Sequence, residues 1–142
     1  MHSVVKIIAI GLMLGAGFFI SDITNWLSAS NRTIDLDEYC ILSTQGCQKG
    51  QIKLALDRDV AQPLMPAKVS VEWPDSQKDF LELQLEGMEM DMGQAKFLLT
   101  PTGNNTFSGE ILLPVCTTDA MTWIGHISDG ATTINTAVRM ER

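Results

Sequence analysis

From residue 51 onward, apolar side chains fall on alternate positions. "QIKLALD" puts Ile52, Leu54 and Leu56 on one side of an extended chain, and "AKVSVEW" does the same with Val69, Val71 and Trp73. Pro63, Pro66 and Pro74 mark the ends of these runs, where a strand can do without a backbone donor. "FLELQLEGMEM" carries the alternation through Leu81, Leu83 and Leu85. "AKFLLT" and "TFSGEILLP" flank "PTGNN", whose glycine and asparagines tolerate the positive φ of a hairpin turn, and "MTWIGHIS" and "TTINTAVRM" flank "DGA". About seven short strands at regular spacing, with no helical period among them, predict an all-β domain.

A small antiparallel β-sandwich of immunoglobulin-like topology is the first expectation, and a barrel with the same strand count is the alternative. Ahead of the strands, "VVKIIAIGLMLGAGFFI" from Val4 to Ile20 is apolar except for Lys6. Its length lies between a short membrane span and a long signal-peptide core. The bulky "SDITNWL" before the small residues Ser28, Ala29 and Ser30 favours a retained transmembrane helix over a cleaved signal. In that reading Trp26 sits at the interface, with His2 and Lys6 on the cytoplasmic side. No cysteine directly follows the run, which excludes a lipoprotein attachment site. The expected organisation is an anchor or signal peptide over 1–28, a polar tether with a cysteine loop over 29–48, and the β-sandwich over 49–142. Either reading exports the domain, and the retained anchor makes a single-pass inner-membrane protein facing the bacterial periplasm.

Export changes how the cysteines read. Cys40 and Cys47 enclose a short glycine-containing loop, and in an oxidising compartment so close a pair forms a structural disulfide. The spacing is too wide for a C-x-x-C redox motif, and no second pair completes a zinc knuckle. Cys116 is then left as an odd thiol, either buried and inert or reactive and metal-binding. The formal net charge of −7 over 142 residues argues against a nucleic-acid partner. It suits cation handling, although a solvated acidic surface is the commoner meaning of such a balance.

The chemistry concentrates in "GMEMDMGQ". If Gly87 to Gly93 is extended, Met88, Met90 and Met92 share one face, and Glu89 and Asp91 face solvent on the other. The apolar face carries odd numbers through Leu85 whereas the methionines are even. A bend or bulge at Gly87 reconciles the two and leaves the methionines off the regular core face. Methionine also fills irregular core gaps, so packing is the competing explanation. A second sulfur pair, Cys116 and Met121 in "LPVCTTDAMTW", shifts the balance toward a ligand set. Thiolate and thioether are soft donors that select Cu(I), and thioethers hold it without titrating. His126 is expected on the opposite strand face from Met121 and Trp123, satisfied or solvent-facing rather than a ligand. No G-x-S-x-G, phosphate-binding glycine loop or H-E-x-x-H is present, and a Cys116–His126 pair has no orienting third group, so an enzyme is not expected.

The "C…GC" loop at Cys40 and Cys47, the segment "PLMPAKVSVEW", the "MEMDMG" run and "LPVCTTDAMTW" together resemble a family of small membrane-anchored periplasmic proteins. These are found beside Sco-type copper chaperones and cytochrome oxidase assembly genes. More loosely the chain is similar to FixH- and YtkA-like immunoglobulin-type domains. The resemblance implies a periplasmic copper accessory role carried by Met88, Met90, Met92, Cys116 and Met121, with a copper chaperone or an oxidase under assembly as partner. It departs from the histidine- and methionine-containing motif of better known Cu(I) chaperones, since the domain holds no second histidine. The alternative expectation is a tethered, metal-free subunit that docks on an inner-membrane complex through its methionines.

Overall fold

The computed structural model describes residues 35–142 and, ahead of them, Lys6 alone. The expected anchor and the first part of the tether lie outside the described residues. Asp35–Arg142 forms one compact unit. After a short 3-10 turn, Leu36–Glu38, nine strands follow: β1 Cys40–Ile41, β2 Cys47–Lys49, β3 Ile52–Leu56, β4 Ala67–Glu72, β5 Leu81–Gly87, β6 Gln94–Gly103, β7 Thr106–Ile111, β8 Ala120–Ser128 and β9 Thr133–Glu141.

The alternation seen in the sequence is what the strands bury. In β4, Ala67, Val69 and Val71 are buried while Lys68 and Glu72 are exposed. In β5, Leu81, Leu83 and Leu85 are buried. Phe107 and Ile111 of β7, Trp123 and Ile127 of β8, and Val138 and Met140 of β9 complete one core. Each buried aliphatic side chain contributes roughly 1.5–3 kcal/mol, so a one-residue slip in any of these strands would forfeit the whole inward set.

Hydrogen bonding runs without a break through the order β1-β9-β8-β5-β6-β7-β4-β3-β2. The long strand β6 makes this continuity possible. Its first half pairs with β5 through Gln94 to Leu99, and its second half pairs with β7 from Thr100, with a register shift between Pro101 and Gly103. Non-consecutive strands lie side by side where β4 meets β7 and β5 meets β8. Close approach of β5 and β8 depends on Gly125, where an added Cβ would run into the Gln84 carbonyl. The ends of the order, β1 and β2, are joined by the Cys40–Cys47 disulfide, with the two Cα atoms 5.6 Å apart.

The all-β expectation holds, with two differences. There are nine strands because β1 and β2, of 2 and 3 residues, are too short to show a period of two. The sheet is mixed because β1 runs parallel to β9, pairing Cys40 with Thr136, where antiparallel pairing throughout was expected. The cysteine loop is therefore part of the sheet. Leu42 beside it is fully buried and donates its N–H to the Ala137 carbonyl at 2.8 Å.

Candidate metal centre

At one end of the sheet, sulfur atoms from three parts of the chain converge. Cys116 lies in the connection between β7 and β8, Met121 is the second residue of β8, and Met92 lies in the 88–93 segment between β5 and β6. The Cys116 Sγ is 2.9 Å from the Met121 Sδ and 3.2 Å from the Met92 Sδ, with the thiol positioned to donate to each thioether. Met90 joins from the side, its Sδ 4.0 Å from the Thr117 Oγ1 and its side chain packed against the core. Met121 and Cys116 are 2% and 3% exposed, whereas Met92 is 36% exposed. The cluster thus has a buried floor and an open side.

Local physics explains the shape of the 88–93 segment. β5 extends one step past Gly87, because the Met88 N–H still donates to the Thr122 carbonyl at 2.9 Å. At the next residue the backbone turns away, and the Glu89 carboxylate accepts the Thr122 N–H at 2.8 Å, standing in for a strand partner. Asp91 then accepts the Gly93 N–H at 3.1 Å, and Gly93 adopts φ +75°, closing a turn that returns the chain to β6. On the other side, the Arg142 guanidinium donates to the Cys116 carbonyl at 2.9 Å and the Arg142 N–H to the Asp119 carbonyl at 2.9 Å, tying the cysteine segment to the end of β9.

Gly87 is where these pieces meet. A Cβ there would collide with the Met121 methyl and with the Met90 carbonyl. The methyl belongs to a flexible side chain, but the carbonyl is backbone and has less freedom to move. Gly87→Ala is therefore expected to cost about 1–3 kcal/mol, the usual range for overpacking a filled site. It should also push Met121 away from Cys116. Chemical denaturation gives the first quantity, and an unchanged midpoint would show that the site is looser than this geometry.

Of the five sulfur residues expected as ligands, the structure brings Met92, Cys116 and Met121 together, and places the Met90 Sδ 4.0 Å from the hydroxyl of Thr117, the residue after Cys116. Met88 is 38% exposed, and the chain bends at 88–90 instead of remaining extended, so the methionines do not share a strand face. Glu89 was expected to face solvent, and the residue is exposed; its carboxylate in addition fixes the turn on β8, one residue from Met121. Only the bend itself was signalled in the sequence, by the switch from odd to even apolar positions at Gly87.

His126 lies on β8 opposite Gln84 and Asn135, five residues beyond Met121 and so roughly 17 Å along the strand from the sulfur cluster. It lines a separate shallow cavity of about 430 Å³ with Lys78, Asp79, Phe80, Glu82 and Asp129. There the Gln84 amide, ahead of the Lys96 ammonium, holds the Glu82 carboxyl below the usual carboxylate range.

The donor set decides which ions suit the cluster. Among the described residues, no group of three or more His, Cys, Asp or Glu side chains is placed to hold a metal. Metal–sulfur bonds of about 2.3 Å hold ligand sulfurs roughly 3.8–4.0 Å apart. Cys116, Met92 and Met121 would have to spread by about an ångström or less to accept an ion, a shift that methionine's flexible side chain accommodates. One thiolate with two thioethers is a soft set that suits Cu(I). No protein-family model matches this chain, and no curated protein matches it.

Proposed function

We propose that this is a copper(I)-binding accessory protein, tethered to the bacterial inner membrane with its β-domain in the periplasm, that holds Cu(I) for delivery to a recipient such as an oxidase under assembly. The approach of the Met92 and Met121 Sδ atoms to within 3.2 Å of the Cys116 Sγ carries the metal reading. Cys116 supplies the anionic ligand, Met121 and Met92 the thioethers, and Met90 lies in reserve beside them. Binding exchanges the thiol proton for the ion and leaves its oxidation state unchanged. The apolar Val4–Ile20 run supports the tether, and the Cys40–Cys47 disulfide accords with an oxidising compartment. The side-by-side placement of β4 with β7 and β5 with β8 supports the immunoglobulin-like sandwich.

Titration with Cu(I) against a chromophoric chelator under reducing conditions tests the reading. One equivalent withdrawn from the chelator is the expected result, and no competition at any protein concentration would sink it. In that event the second reading takes over, a metal-free docking subunit. It is favoured by the exposure of Met88 and Met92 together with Val115, which is 45% exposed next to Cys116. Co-purification with a membrane complex that survives copper chelation would support that alternative.

A further inference from the structure

Resting on the copper reading, we infer that the three sulfur ligands have different tasks: Cys116 and Met121 retain the ion, and Met92 is the ligand exchanged when the ion passes to a partner bearing thiolate or thioether groups. The asymmetry is physical. Met121 belongs to a paired strand opposite Met140, and both it and Cys116 are sealed from solvent. Cys116 is the common neighbour of the other two sulfurs. Met92 alone of the three meets solvent, and it sits in a turn beside Gly93, whose positive φ and open surroundings leave room to move.

An incoming ligand can reach the ion only from the Met92 side. In the exchange, one metal–sulfur bond forms to the acceptor as the bond to the Met92 Sδ breaks. The ion remains Cu(I), no electron moves, and a thiol acceptor gives its proton to solvent. The fixed end of the turn, clamped by Glu89 on Thr122, keeps Met90 and Met88 in place while Met92 swings.

The test compares Met92→Leu and Met121→Leu in the purified full chain, both near-isosteric changes that preserve packing. Loaded with Cu(I), each is mixed with bathocuproine disulfonate, and both the equilibrium distribution and the rate of transfer are read. Met92→Leu is expected to keep Cu(I) bound but to hand it over about 10-fold faster or more, whereas Met121→Leu loses more than ~100-fold in affinity; these figures bracket what weakening a metal's surroundings costs. A transfer rate in Met92→Leu equal to that of the unmodified chain would overturn the inference, as would equal losses of affinity in both variants. Failure of the unmodified chain to bind Cu(I) at all would remove the copper reading and this inference with it, an outcome distinct from the other two.

Discussion

Cys116→Ser is expected to lower the affinity for Cu(I) by more than the ~100-fold that loss of a supporting partner costs a metal site. The thiol touches both thioethers, so its removal takes away the only anionic donor and the centre of the cluster together. Serine keeps the shape of the side chain, with a hydroxyl in place of the thiol, but offers a hard, neutral oxygen where a Cu(I) site needs a soft thiolate. Because the residue is 3% exposed, the new hydroxyl must also find a partner. The Pro114 carbonyl, 3.8 Å from the Sγ, is the nearest oxygen acceptor the thiol has now. The fold should therefore lose about 1–2 kcal/mol, the price of a poorly satisfied buried hydroxyl. Chelator competition and a thermal melt on the same sample separate the two effects. If the variant holds Cu(I) within about tenfold of the parent, less than one supporting contact is worth, the thiolate is not a ligand.

The second large effect is on stability. Opening the disulfide with Cys40→Ala and Cys47→Ala is expected to cost about 2–3 kcal/mol, since a sequence separation of 7 closes a small loop and removes a correspondingly modest entropy from the unfolded chain. The position of the bond raises its importance. Cys40 is fully buried and pairs through β1 with β9, and Cys47 pairs through β2 with Leu54 of β3. For a domain of this size the melting temperature should fall by roughly 10 °C. A shift under about 2 °C, less than 1 kcal/mol, would mean that packing of Leu42 and its neighbours holds β1 without the crosslink.

These two cysteine pairings differ in how far they could be read from the chain alone. Cys40 and Cys47 are close in sequence, and their bond was legible from spacing. The longer strands were equally legible, since Val69 with Val71 or Leu83 with Leu85 announce their faces by a period of two. β1 and β2 were not, because their place depends on pairing with residues as distant as Thr136 and Leu54. At the sulfur cluster, the presence of cysteine and methionine was legible and the geometry was not. Nothing local says that residue 92 returns to residue 116. Glu89 could not have been anticipated at all, because its partner is a backbone N–H 33 residues away, a group every residue but proline carries.

The disulfide that joins β1 to β2 has a further consequence. The strands that end the order on either side are only 2 and 3 residues long. Long bare edges recruit strands from other chains and seed aggregates, and short ones do not. If reduction frees β1, β9 loses its partner at Thr136 and Ala137, and the stretch from Thr133 to Val138, ahead of the Ala61 bridge at Met140, becomes such an edge, with Ile134 and Val138 on the face behind it. The crosslink therefore protects solubility as well as stability, because it keeps β1 seated on β9 and away from the strands of neighbouring molecules.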